Sequence, residues 1–426
     1  MESRLIFFRQ SGWLVVATMA SGIFMTGTQI VASRWMEPGE YGLWFTLLRV
    51  YLFMSIPSAG LQIIFAQQTA AAIAPHQHHQ LARSVRATLK ATFIFWLLVA
   101  VVAFASTPYW MGLLKITRPA AWHFTLLIGL ASLWSPLVRG ILQGQQHFLG
   151  LGWVLILDGI GRFGLVWIIL AFGGEAAGGM AGALLGTGLA IAVGGWLLRG
   201  LLIEPGEPMD WRPWFRKTVP LTIAMGGIQF MMIFDVPYVR GVFPADQSDT
   251  GYVPAALIGL ALITILLPLA AVMFPKIVRS TALTQDTHAL EHAFVATALM
   301  GTAAACACTL FPKLPLQIIY FGKPAYWAAA PLVPWFTWCL LPLMLANVLV
   351  ANLLARERFG IAYPVGAVAL AYGLTLLVAK PWLLSLDSAV AFRTVLQILG
   401  GYGVLLLLAA VGFTLRSRAP ASAAAL

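Results

Sequence analysis

Charge is scarce in this sequence: only 10% of its 426 residues are Asp, Glu, Lys or Arg, while 60% are hydrophobic. The mean hydropathy of +0.86 is more apolar surface than a water-soluble domain can hide behind a polar shell, which excludes a soluble enzyme and a disordered chain alike. Cysteine is almost missing. The three present, Cys306, Cys308 and Cys339, all fall in apolar runs, where a free thiol behaves as a small hydrophobe, so neither a disulfide framework nor a metal site is indicated. Long polar loops are also lacking, and no P-loop, GxSxG, HExxH or carboxylate pair with catalytic spacing in one loop occurs. The chain reads as a non-enzyme, with no cofactor and no metal expected.

What is present is a series of apolar runs of about 18 to 25 residues, the length a helix needs to cross a hydrocarbon core of about 30 Å. Twelve spans are predicted, at 11–33, 41–64, 88–106, 121–142, 149–171, 178–198, 218–243, 253–275, 292–311, 326–354, 361–379 and 392–415. The runs are rich in Leu, Ala and Gly and do not alternate with period two, so a transmembrane barrel fits poorly. The expected class is an all-α polytopic membrane protein.

Lys and Arg near span ends are retained on the cytoplasmic side. With the first residues inside, sixteen of the 26 basic residues fall on that side and eight opposite, and Arg49 and Arg162 remain inside spans. Both termini are therefore expected in the cytoplasm, in a bacterial-type inner membrane. The first run is longer than the h-region of a signal peptide and ends at ASRWMEPGEY without a clear cleavage site, so it reads as a retained span. The net charge of +11 is scattered over short loops and makes no continuous basic domain, which points to anionic lipid headgroups and away from nucleic acid. HQHHQ at 76–80 has metal-binding residues, but no carboxylate or cysteine stands beside it in sequence, and a solvated loop is the simpler reading.

One pattern occurs twice. IFMTGTQ at 23–29 and IAMGGIQ at 223–229 share IxMxGxQ in the first and seventh spans. Tyr41 and Pro57 are followed 211 residues later by Tyr252 and Pro268, and Phe148 by Phe359. A duplication of six helices accounts for this: a lobe at 1–198, a Pro- and charge-rich cytoplasmic linker at 199–217, and a second lobe at 218–426. An even number of spans per half inserts both halves the same way up, a parallel repeat. In each copy a Gly permits close backbone approach and a Gln can hydrogen-bond across helices. Gln29 and Gln229 thus read either as interhelical contacts or as groups lining a substrate cleft.

Four stretches carry a family resemblance. SRWMEPGEYGLWFTLLRVYLFMSIPSAGLQ, with its PGEYG turn, RGILQGQQHFLGLGWVLILDGIGRFGL, FDVPYVRGVF and GYVPAALIGLALITILLPLAAVMFPKIV resemble the corresponding passages of polysaccharide flippases in the multidrug/oligosaccharidyl-lipid/polysaccharide exporter superfamily. The resemblance implies a V-shaped transporter that moves lipid-linked saccharides across the membrane by alternating access. The implied partners are a lipid-linked saccharide with an anionic headgroup, membrane lipids and the polysaccharide assembly machinery.

Ionisable residues inside spans are the route to mechanism, because each costs about 2.5–3.5 kcal/mol at a helix centre on insertion scales and usually faces protein or a wet cavity. Arg49, Asp158, Arg162 and Asp235 lie well inside the predicted spans. Asp158 and Arg162 are spaced i,i+4 and can pair. Arg49 has no acid in its own span. It reads either as a cleft residue that, with Arg162, binds an anionic headgroup through the guanidinium fork, or as a cation paired with Asp235. Asp235 precedes Pro237, which must bend the seventh span, so the two form a gating or ion-coupling candidate or a packed bend, and Asp158 joins them as an ion-coupling candidate. Trp35, Trp110, Trp327 and Trp382 lie near span ends and read as interfacial anchors. Three other readings remain: a cation-coupled multidrug exporter of the same superfamily, a major facilitator protein (whose signature is missing from APHQHHQLARSVRATLK between spans two and three), and a membrane scaffold that transports nothing.

Overall fold

The computed structural model describes residues 2–208, 210–264, 266 and 289–418. Among these it contains helices and turns and no strand. Eight helices are long and apolar enough to cross a membrane, and two bent pairs bring the number to ten. These ten match ten of the twelve expected spans. The first span falls on α1 (Glu2–Trp35), a 34-residue helix. The eighth begins in α13 (residues 253–264) and runs on, with Pro268, outside the described residues.

The chain divides into two compact units, Met1–Thr222 and Ile223–Leu426. The first contains α1, α2 (Pro38–Met54), α3 (Leu61–Ala71), α4 (Pro75–Ala105), α5 (Thr107–Leu114), α6 (Pro119–Gly144), α7 (Phe148–Ala171), α8 (Glu175–Leu197), α9 (Arg199–Ile203) and the opening turns of α10 (Trp211–Ile233). In it α7 packs against α1 and α8, and α6 packs against α2, α3, α4 and α8. The second unit contains the rest of α10, then α11 (Asp235–Val242), α12 (Ala245–Gln247), a π turn at Ser248–Tyr252, α13, α14 (Ala289–Leu310), α15 (Leu314–Ile319), α16 (Val333–Ala355), α17 (Ala362–Val378), α18 (Lys380–Ser385) and α19 (Ser388–Arg418). There α16 lies between α14 and α19, and α17 packs on α19.

Local sequence explains the breaks. Pro38, Pro75 and Pro119 open α2, α4 and α6, where the missing N–H is no loss and φ is already set for a helix. Pro57 lies in the 3-10 turn between α2 and α3, which meet at a bend of 42°. Glycine on α8 brings that helix against the backbone of α7: a Cβ on Gly182 would stand 2.7 Å from the backbone of Val166, and one on Gly186 would strike the backbone of Arg162. With Gly178 these residues make a four-residue repeat of small side chains, the spacing that lets two membrane helices touch along their backbones.

The offset of 211 reappears in backbone geometry. Gln146 and Glu357 both take φ of 55°, the left-handed region that few non-glycine residues enter. Around Gln146 the amides of 145, 146, 147 and 148 donate to the carbonyls of 141, 143, 142 and 146; around Glu357 those of 356, 357, 358 and 359 donate to 352, 354, 353 and 357. Each of these four bonds has its counterpart 211 residues on.

Residues 199–217, expected as a linker, hold α9 and the first turns of α10. They are tied to the first unit. Arg86 of α4 donates to the carbonyls of Leu202 at 2.9 Å and Glu204 at 2.5 Å, and Glu207 meets His79 at 3.1 Å. HQHHQ is thus no loop but the opening of α4, and a carboxylate distant in sequence does reach it. Among the described residues no group of three His, Cys, Asp or Glu is placed to hold a metal ion.

Candidate functional site

Asp158 occupies the middle of α7 and is buried, its side chain 2% exposed. It accepts from Arg162 Nε at 2.9 Å, one turn further along the same helix, and from Arg139 Nη2 on α6 at 2.7 Å. Arg162 also donates to the Tyr51 hydroxyl of α2 at 3.1 Å and lies 5.5 Å from the centre of its ring. The expected Asp158–Arg162 pair is present, and Arg139 joins it as a second cation on the same carboxylate. Arg139, assigned from sequence to the end of the fourth span, stands five residues before the end of α6 at Gly144, its side chain a quarter exposed.

The charge count follows. One carboxylate faces two guanidinium groups, so the cluster carries a surplus positive charge within apolar helices. The surplus lies toward Arg139, whose side chain is 25% exposed against 13% for Arg162. A carboxylate between two forks fixes both planes, so their remaining N–H groups are oriented before any ligand arrives. Such a cluster can bind an oxyanion bidentately, and it cannot serve as a free carboxylate for a cation. The glycine contact of α8 behind Arg162 admits no side chain and so holds this part of α7 in place.

Arg49 is buried in α2 at 3% exposure, its guanidinium 5.1 Å from the Phe45 ring centre. It is two residues from Tyr51, about 200° around the helix, so the structure joins Arg162 to Arg139 and Tyr51 while Arg49 leaves α2 on the other side. Gln29 accepts from the Tyr41 hydroxyl at 3.3 Å and links α1 to α2; Gln229 is half-buried on α10. Sequence reasoning missed Arg139 because it stands where boundary cations stand. An i,i+4 acid–base pair one helix away was the available hint.

In the second unit α10 and α11 meet at 43° around Phe234. Pro237 has no N–H to offer the carbonyl of Ile233, so the helix breaks where expected. Asp235 opens α11, is 2% exposed and accepts from the Tyr252 hydroxyl at 2.8 Å. Arg240, near the end of the seventh predicted span, is buried in α11 and paired with Asp249.

No protein-family model matches the sequence, and no curated protein matches it. Solved structures do. An inward-closed lipid II flippase MurJ aligns with a TM-score of 0.71 at 13% identity, over 94% of this chain and 87% of that one. An inward-facing multidrug resistance MATE transporter of the MOP superfamily aligns at 0.67 and 13%, over 95% and 97%. A MOP superfamily transporter from Pyrococcus furiosus aligns at 0.68 and 12%, over 96% and 95%. The chain shares the fold of these proteins and is built as a multi-pass helical membrane protein.

Proposed function

We propose that this protein is a transporter that moves a lipid-linked oligosaccharide or polysaccharide repeat unit, held by its anionic headgroup, across the inner membrane by alternating access, for cell-surface polysaccharide assembly. The observation that carries the reading is the surplus cation of the Arg139–Asp158–Arg162 cluster: oriented guanidinium groups among apolar helices suit a phosphate-bearing headgroup. The fold shared with a lipid II flippase supports it. In this reading the two lobes are duplicated six-helix units and both termini face the cytoplasm.

The test is reconstitution of the full chain into liposomes containing a lipid-linked oligosaccharide, with its appearance on the opposite leaflet measured over time. Arg139→Gln is the informative variant, since it removes the surplus charge and leaves the Asp158–Arg162 pair. A fall in rate of about tenfold or more, roughly the worth of one charge-assisted hydrogen bond, is expected. An unchanged rate refutes the assignment.

A second reading has its own observation. Asp235 is a buried carboxylate at a helix break, which suits a cation-coupled exporter of small molecules, and multidrug transporters share the fold. Dye efflux driven by a sodium or proton gradient, lost in Asp235→Asn, with no movement of lipid-linked saccharide, selects this reading over the first.

A further inference from the structure

Between α4, α6, α8 and α9 of the first unit lies a cavity of about 480 Å³, within the range of roughly 300–1,000 Å³ usual for ligand clefts. Its floor is permanent core: Val85, Leu137, Val138, Ile141 and Leu198 are buried and belong to one hydrophobic cluster. Among the described residues Lys90 is the only charged one lining it. On the α4 side the lining runs out through Phe93, 39% exposed, onto an apolar surface that includes Leu97 at 43%. A groove of this chemistry on a membrane-crossing helix is filled by hydrocarbon, since water gains no polar partners there.

One end of the groove is cationic. Lys90 is exposed, and Arg86 and Arg83 stand four and seven residues earlier on the same face of α4. Arg86 is occupied in holding Leu202 and Glu204 by their carbonyls, and Leu202 itself lines the groove, so the ladder continues directly from the apolar slot. An apolar slot with cations at a single end is complementary to a lipid with one negative headgroup.

We propose that this groove seats one acyl chain of an anionic phospholipid of the surrounding bilayer, with its phosphate on Lys90 and Arg83. The groove shares no lining residue with the Asp158 cluster, and the proposal does not depend on what the protein transports. The phospholipid is chosen over a polyprenyl carrier because the groove is continuous with the membrane-facing surface of α4.

The test uses the detergent-solubilised full chain incubated with phosphatidylglycerol or with phosphatidylcholine of identical acyl chains, and counts retained lipid by native mass spectrometry. Wild-type protein is expected to retain phosphatidylglycerol about fivefold better, the worth of one basic residue at a headgroup. Lys90→Gln should reduce that preference severalfold. A Cβ at Gly195, which lines the groove, would meet nothing within 4 Å, so Gly195→Phe fills the slot without disturbing the helix contacts. It should abolish retention of both lipids while the protein stays monodisperse. Equal retention of the two lipids by the wild type, retention unaltered by Gly195→Phe in a monodisperse protein, or displacement of phosphatidylglycerol by equimolar polyprenyl phosphate would each overturn the proposal. Should Gly195→Phe prove polydisperse, the Lys90→Gln comparison decides alone, because Lys90 is exposed and its loss leaves the fold intact.

Discussion

Removing each member of the Asp158 cluster should have sharply unequal effects on stability. The native arrangement has two attractions, Arg139 to Asp158 at 2.7 Å and Arg162 to Asp158 at 2.9 Å, and one repulsion between the guanidinium groups. A unit charge pair at about 4 Å is worth roughly 4 kcal/mol at an effective dielectric constant of 20. Asp158→Asn deletes both attractions and keeps the repulsion, so it should cost about 3–5 kcal/mol, the usual result of leaving buried charge uncompensated. Arg139→Gln deletes one attraction together with the repulsion, and its side chain is a quarter exposed, so it should cost about 1 kcal/mol or less. Arg162→Gln falls between, because it also gives up the Tyr51 hydrogen bond, about 1 kcal/mol. Asp158→Asn combined with Arg162→Gln leaves a single, partly exposed cation and should be more stable than Asp158→Asn alone. Thermal unfolding in one detergent, followed by tryptophan fluorescence, ranks the four proteins. If Arg139→Gln is as damaging as Asp158→Asn, or if the double variant is no better than the worse single one, the charge count is wrong.

Three further outcomes are expected. Gly182→Leu should force α8 away from Val166, costing about 1–3 kcal/mol by overpacking, and should impair transport through the displaced Arg162 backbone; a stable, fully active variant would show that this contact is not needed. Arg49→Lys should insert normally and transport less well than wild type, with Arg49→Ala worse still, because the first keeps charge and loses the fork; wild-type transport by a well-expressed Arg49→Ala protein excludes Arg49 from the headgroup path. Reporter fusions after Arg418 should register in the cytoplasm, and fusions in the segment around Lys115 on the opposite side; the reverse pattern would invert the topology.

How legible the molecule was depended on the range of the interaction. Asp158 and Arg162 could be paired from spacing alone, because four residues on a helix always share a face. The break at Asp235 could be read from Pro237, because a missing N–H acts locally. Arg139 could not be read in the same way. Its place five residues before the end of α6 depends on where the helix stops, and its partner is 19 residues away on another helix. The arginine pair at Asp158 therefore appears only once α6 and α7 are packed. Glu207 beside His79 was hidden for the same reason, and with it the attachment of residues 199–208 to α4.

By itself the sequence determined that the chain is helical and membrane-crossing, since hydropathy and run length depend on composition along the chain and on nothing distant. It also carried the offset of 211 in Tyr41, Pro57 and Phe148 and their later counterparts. The tertiary structure alone decided which small residues bring which helices together. Gly178, Gly182 and Gly186 advertise a close contact, but only packing assigns it to Val166 and Arg162. It alone put Gln146 and Glu357 into the same left-handed turn. Neither Gln nor Glu favours that conformation; each stands just past a helix end, where its own amide and the next one close onto carbonyls of the last turn, so the cap holds the residue there and its own letter does not record it.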